Sequence, residues 1–113
     1  MKINTFEEII SWKKAKELTL SIYKEFTHCH DYSFKDQIQR ASISIMNNIS
    51  EGFERRGDKE FKNFLFIAKG SCAEVRSMIY IAEKINYVEN SKSEELIIKT
   101  IEISKLLSGL IKT

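Results

Sequence analysis

Between Phe61 and Ala82 the residues Phe61, Leu65, Ala68, Cys72, Val75, Ile79 and Ala82 recur in steps of four and three. That is the repeat of a helix seating one seam against its neighbours, and a strand, which alternates every second residue, cannot use it. The same cylinder carries Ile67, Met78, Ile81 and Ile85 on one flank and Phe66, Ala73, Tyr80 and Tyr87, at strict sevenfold spacing, on the other. A helix apolar on most sides has to be covered on most sides. With 113 residues the chain has few elements to do this, so self-association is expected.

The preceding stretch is amphipathic with the helical period. At about 100° per residue, Phe34, Ile38, Ala41, Ile45, Ile49 and Gly52 share one arc, and Arg40, Ser44, Asn47, Glu51 and Arg55 the opposite one. Ile43, Met46 and Phe53 fall on the flank of the apolar arc and call for a second apolar neighbour. Together with Phe66 and Tyr80 they are the candidate oligomer interface. Asn48, at the border of the two arcs, is costly to bury unless hydrogen-bonded. It and Glu51 are expected to tie this helix to neighbouring backbone and set its register. Gly52 and Gly70, each costing about 1 kcal/mol in a helix interior relative to Ala, suggest close helix approach.

The first helix is expected over Phe6 to Phe26, capped by Asn4 or Thr5, with Glu7 and Glu8 at the positive end of its dipole and Trp12, Ala15, Leu18, Ile22 and Phe26 as its stripe. Lys13, Lys14, Lys16 and Lys24 read as its solvated face. Ser33 with Asp36 resembles a capping box opening the second helix, which should end near Arg55 to Gly57, with Gly57 left-handed. Asp58 would cap the third helix, running to about Asn86, and Ser91 with Glu94 would open a fourth carrying Leu96, Ile97, Ile101, Ile103, Leu107, Leu110 and Ile111. Absence of Pro and the presence of only four Gly argue against a turn-rich β fold. Short connections between four such helices give an all-α, antiparallel up-down-up-down four-helix bundle, a single domain over residues 1–113.

Function classes can be narrowed by what the polar residues lack. A net charge of +2, shared evenly by the two halves, gives no global field for nucleic acid. No run reaches a membrane span. Cys29 and Cys72 do not form a disulfide framework, which points to a reducing cytoplasm. His28, Cys29, His30 and Asp31 are of metal-ligand type but stand adjacent in one loop, without a second ligand pair. Glu51 and Glu74 lie on helices expected to be neighbours, yet a di-iron bundle needs Glu-x-x-His on two helices and both histidines are in the loop. Neither a Gly-rich phosphate loop nor a nucleophile elbow is present. No metal, cofactor, small-molecule substrate or enzymatic activity is expected.

Local charge is the sharpest functional signal. Arg55, Arg56, Lys59, Lys62, Lys69 and Arg76 stand against only Asp58, Glu60 and Glu74 in that stretch, with Lys62, Lys69 and Arg76 every seven residues beside Phe66, Ala73 and Tyr80. Such a stripe can follow a phosphate backbone and stack bases. It can equally rim a helix-helix interface, lysine stems covering apolar rings.

Trp12-Lys13-Lys14-Ala15, Ile22-Tyr23, the run from Gln37 to Ile45, Asn48-Ile49-Ser50-Glu51-Gly52-Phe53, Lys59-Glu60-Phe61, Phe64-Leu65, Ile67-Ala68-Lys69-Gly70-Ser71 and Glu74 together resemble the four-helix bundle family encoded in intervening sequences of bacterial 23S ribosomal RNA genes. The resemblance covers nearly the whole chain. It implies a homopentamer shaped as a short barrel. It further implies kinship to the accessory protein of diversity-generating retroelements, a basic pentamer that binds a reverse transcriptase and nucleic acid. The partners it implies are therefore other copies of the chain and RNA or a nucleic-acid enzyme.

Overall fold

The computed structural model describes residues 2–113. Four helices, α1 (Ile10–Glu25), α2 (Tyr32–Glu54), α3 (Asp58–Lys84) and α4 (Asn90–Lys112), follow a single 3₁₀ turn at Phe6–Glu8. Each helix packs on its chain neighbours and α4 closes back on α1, with the α2 and α3 contact the most extensive. This is the expected antiparallel bundle, and no strand occurs among the described residues. At about 1.5 Å per residue, the 27 residues of α3 span nearly the whole 43 Å length of the molecule.

The core is the set of faces the periodicity marks. Ala15, Leu18 and Ile22 of α1 with Phe26 just past its end, Ile38, Ile45 and Ile49 of α2, the α3 seam from Leu65 to Ala82, and Leu96, Ile103 and Leu107 of α4 are all buried. Small polar groups knit neighbouring helices inside this core. Thr19 Oγ1 donates to Ala15 O at 2.8 Å and to Ser42 O at 3.1 Å, joining α1 to α2, and Cys72 Sγ donates to Thr100 O at 3.1 Å, joining α3 to α4.

Helix ends depart from the expected positions, each for a local reason. A continuous first helix would turn Ile9 about 120° away from Ala15. Instead Ile9 is extended, which buries it, while Phe6 packs edge-on against Trp12. Asp31, not Ser33, caps α2 by accepting the Phe34 N–H at 3.1 Å, and Asp36 is engaged with Arg40. Gly57 is extended and serves as the N-cap of α3 in place of Asp58, so the left-handed residue in that turn is Arg56, at φ 66°. Its guanidinium lies 5.7 Å from the Phe53 ring centre, holding a conformation unfavourable for a side chain with a Cβ. Asn86 (φ 65°) terminates α3, and α4 starts one residue before Ser91, anchored by buried Val88.

Gly52 marks the tightest crossing. A Cβ there would sit 2.5 Å from Phe64 Cβ, whereas one at Gly70 would meet nothing within 4 Å. Close approach within the chain therefore explains Gly52 and not Gly70. In chemical denaturation, Gly52→Ala should lower stability by about 1–3 kcal/mol through overpacking, while Gly70→Ala should raise it by about 0.5–1 kcal/mol. Equal effects would contradict this packing.

Candidate nucleic-acid interface

The α2–α3 seam sets where the charged side chains emerge. Along it Gly52 meets Phe64, Ser44 Oγ shares a 2.9 Å hydrogen bond with Ser71 Oγ, and Gln37 Nε2 donates to Glu74 Oε2 at 3.2 Å. Asn48 Nδ2 donates to Ser44 O at 2.8 Å and Ser44 Oγ at 2.9 Å, so it supports the seam through Ser44. Glu51 does not. It is exposed and paired with Arg55 at 3.2 Å, which corrects its expected structural role. Since Glu74 sits level with Gln37, fourteen residues from Glu51 along α2, the two carboxylates lie about 21 Å apart and form no pair.

Six candidate cations divide into two groups. Arg55, Arg56 and Lys59 occupy the α2–α3 turn and the first turn of α3. Arg55 is already engaged by Glu51 and, at 3.9 Å, by Glu60, with its guanidinium over the Phe64 ring. Lys62, Lys69 and Arg76 run about 21 Å along α3, half-buried, drifting about 20° per heptad toward α4. Among the described residues, Arg56, Lys59, Lys62, Lys69 and Arg76 have no carboxylate within salt-bridge distance. Directly outward of the second group stand Phe66 and Tyr80, 57% and 52% exposed, with Ala73 between them. The cation and aromatic rows of the sequence thus form one continuous strip of surface.

On the far flank of α3, Ile67 and Ile81 are 52% and 53% exposed. Met46 and Phe53, expected at an interface, are instead half-buried against the core of their own bundle, Phe53 edge-on to Phe61. Ile43 is exposed beside Ser42, whose backbone meets Thr19 of α1, and Leu20 and Tyr23 of α1 are exposed too. Leu20 was not singled out from the sequence, although it lies off the Leu18 and Ile22 stripe. Tyr87 leaves the Phe66, Ala73 and Tyr80 row altogether. Beyond the end of α3, it packs on Phe34 and donates to Asp31 Oδ2 at 2.8 Å.

The Phe34 N–H, and after it the Tyr87 hydroxyl, hold the Asp31 carboxyl below the usual value, and Asp31 in turn pushes the Tyr87 phenol up. His28, Cys29, His30 and Asp31 surround a shallow depression with Glu25, Asn86 and Tyr87. Among the described residues no three His, Cys, Asp or Glu side chains are arranged to hold a metal ion. Both cysteines are free thiols.

Residues 7–109 match the family model described as 23S rRNA-intervening sequence protein. The chain belongs to that family. It is also similar, at 27% identity and a TM-score of 0.85, to the crystal structure of a protein of unknown function from the S23 ribosomal protein family of Bacteroides thetaiotaomicron VPI-5482, with 92% of this chain and 100% of that one covered. No curated protein matches the chain. The family assignment and the shared fold agree with the run from Gln37 to Glu74, which is the α2–α3 seam. No helix of the described residues is long and apolar enough to cross a membrane.

Burial pushes the Cys72 thiol up to about 11, against partial opposition from the Arg76 charge and the Ser104 backbone. An acid whose folded-state pKa is raised binds more protons than the unfolded chain above the ordinary value. Stability should therefore fall as the pH rises from about 9 to about 11. Cys72→Ala should flatten that alkaline limb in pH-dependent denaturation, and an unchanged limb would show that other groups cause it.

Proposed function

We propose that this protein is a non-catalytic, self-associating helical scaffold that binds RNA, or a ribonucleoprotein such as a reverse transcriptase complex, through Arg56, Lys59, Lys62, Lys69 and Arg76. The observation that carries the reading is the row of cations on α3, none with a carboxylate partner, running along the border of the apolar outer face. Phosphates recruit such cations by releasing counterions. Arg55, held by Glu51 and Glu60, contributes less.

Self-association draws on large apolar side chains that the chain itself leaves exposed. Phe66, Ile67, Tyr80 and Ile81 are exposed on α3, and Leu20, Tyr23 and Ile43 on α1 and α2. Contact between such unlike surfaces of two copies is head-to-tail, and head-to-tail contacts generate rings when the rotation closes. The family resemblance supplies the count of five. In a ring, a weak basic strip is repeated on every subunit and gains avidity for one long RNA. The two unpaired cysteines accord with a cytoplasmic setting.

A second reading follows from the half-buried stems of Lys62, Lys69 and Arg76: the strip rims a protein interface, and the protein is an assembly module with no nucleic-acid role. Combined Lys62→Glu, Lys69→Glu and Arg76→Glu substitution separates the readings. On the RNA reading, filter-binding affinity for a structured RNA collapses, the slope of log K against log salt falls by about 2–3, and light scattering shows the oligomer intact. Affinity of the unmodified protein no better than that of a charge-matched control overturns it. Loss of the oligomer with the same variant establishes the assembly reading.

A further inference from the structure

Along the outer side of α4, Ser91, Glu94, Ile98, Ile101, Lys105 and Ser108 follow one another in steps of three, four, three, four and three, the repeat of a helix seated against another helix. Nothing in the chain covers the middle of this row. Ile98 is 66% exposed and Ile101 38%, and an open recess of about 400 Å³ runs beside them to Glu102, Lys105 and Leu106. Glu94 and Lys105 are exposed as well. The other carboxylates nearby are engaged within the chain, Glu95 by Lys92 at 3.6 Å and Lys99 at 3.8 Å, and Glu102 by Lys14 of α1 at 3.7 Å. Among the described residues neither Glu94 nor Lys105 has an opposite charge within salt-bridge distance. They cannot serve each other, because eleven residues of helix hold them about 17 Å apart.

Taken from either end, the row has the same spacing and the same sizes but opposite charge. A second α4 laid antiparallel, with a two-fold axis passing between Lys99 and Thr100, sets Ile98 against Ile101, Glu94 against Lys105 and Ser91 against Ser108, each pairing occurring twice. A parallel partner would set Glu94 against Glu94 and Lys105 against Lys105, so charge selects the antiparallel arrangement. We propose that this face of α4 is a homotypic docking surface that pairs antiparallel with the same face of a second copy. From Ser91 to Ser108 the paired length is about 26 Å, which at the width of one helix buries on the order of 300 Å² per copy, against about 800 Å² in a stable complex. One such pair is short-lived, and it lasts where an assembly presents several α4 faces at once. For that strength, though not for its geometry, the contact rests on the self-association proposed above, and it joins one such assembly to another.

Zero-length carbodiimide coupling of the full chain, followed by proteolysis and mass spectrometry, captures even a short-lived contact. Expected is an amide between Glu94 and Lys105 as the main link made by Glu94, and the separation of the two within a chain makes it a link between copies. Ile98→Ser, an exposed change that keeps the thermal unfolding transition, should lower its yield by about fivefold. Glu94→Lys combined with Lys105→Glu exchanges the charges, so the link between positions 94 and 105 forms again, to within about twofold. Neither single reversal can form it alone, but an equal mixture of the two single variants should. Absence of the link in the unmodified protein, preference of Glu94 for another lysine, a yield indifferent to Ile98→Ser, or no link in both the exchanged variant and the mixture overturns the proposal. The outcome is separate from that of the scaffold reading: a 13.2 kDa species that yields the link removes the α3 assembly and upholds this contact, and a large assembly without the link does the reverse.

Discussion

Everything in the molecule is arranged by the contact between α2 and α3, and that contact depends on one missing side chain. With no Cβ at Gly52, the Phe64 side chain sits where a methyl group would be, and the two helices close to a distance no other residue would permit. From this point the register runs through the Ser44 and Ser71 hydroxyls to Gln37 and Glu74. Asn48 keeps the middle of the seam satisfied by bonding Ser44, so closeness is achieved without an orphaned amide. Because α3 is fixed along nearly its whole length on this side, and by Cys72 against Thr100 on the other, its rotation about its own axis is set. What it shows to the outside follows: Lys62, Lys69 and Arg76 toward α4, Phe66 and Tyr80 beyond them, Ile67 and Ile81 on the remaining flank.

Much of this was legible from periodicity alone. The buried seam of α3 and the arcs of α2 are those the helical period selects, since core positions obey a geometric repeat that tertiary contacts can only satisfy or violate. The cation and aromatic rows could be read for the same reason. Helix ends were less legible. At α2 the capping-box pattern pointed to Ser33, but Asp31, two residues earlier, accepts the Phe34 N–H and is also bonded by Tyr87, fifty-six residues away. In the α2–α3 turn the glycine rule pointed to Gly57, but Arg56 takes the left-handed position with its guanidinium over Phe53. Contacts of that kind have no signature in local sequence.

The candidate site shows the same division. That a row of charges would lie on one face was visible, while which of them would be neutralised was not. Glu51 reaches Arg55 along one helix, and Glu60 reaches it across the turn, so the residue at the start of the basic stretch is the one that carries the least unpaired charge. Phe53 and Met46 looked like interface residues because they lie off the core arc. In the bundle that flank faces other parts of the same chain, and Ile43 alone of the three remains exposed.

The central claim is that α3 keeps an apolar outer face which its own chain leaves uncovered, and that other copies cover it. Sedimentation equilibrium of the unmodified protein over a wide concentration range addresses it most directly. The account predicts a species several times the 13.2 kDa mass of one chain, with five copies as the expected multiple. A single 13.2 kDa species persisting at the highest concentrations would contradict it, because Phe66, Ile67, Tyr80 and Ile81 would then remain in water.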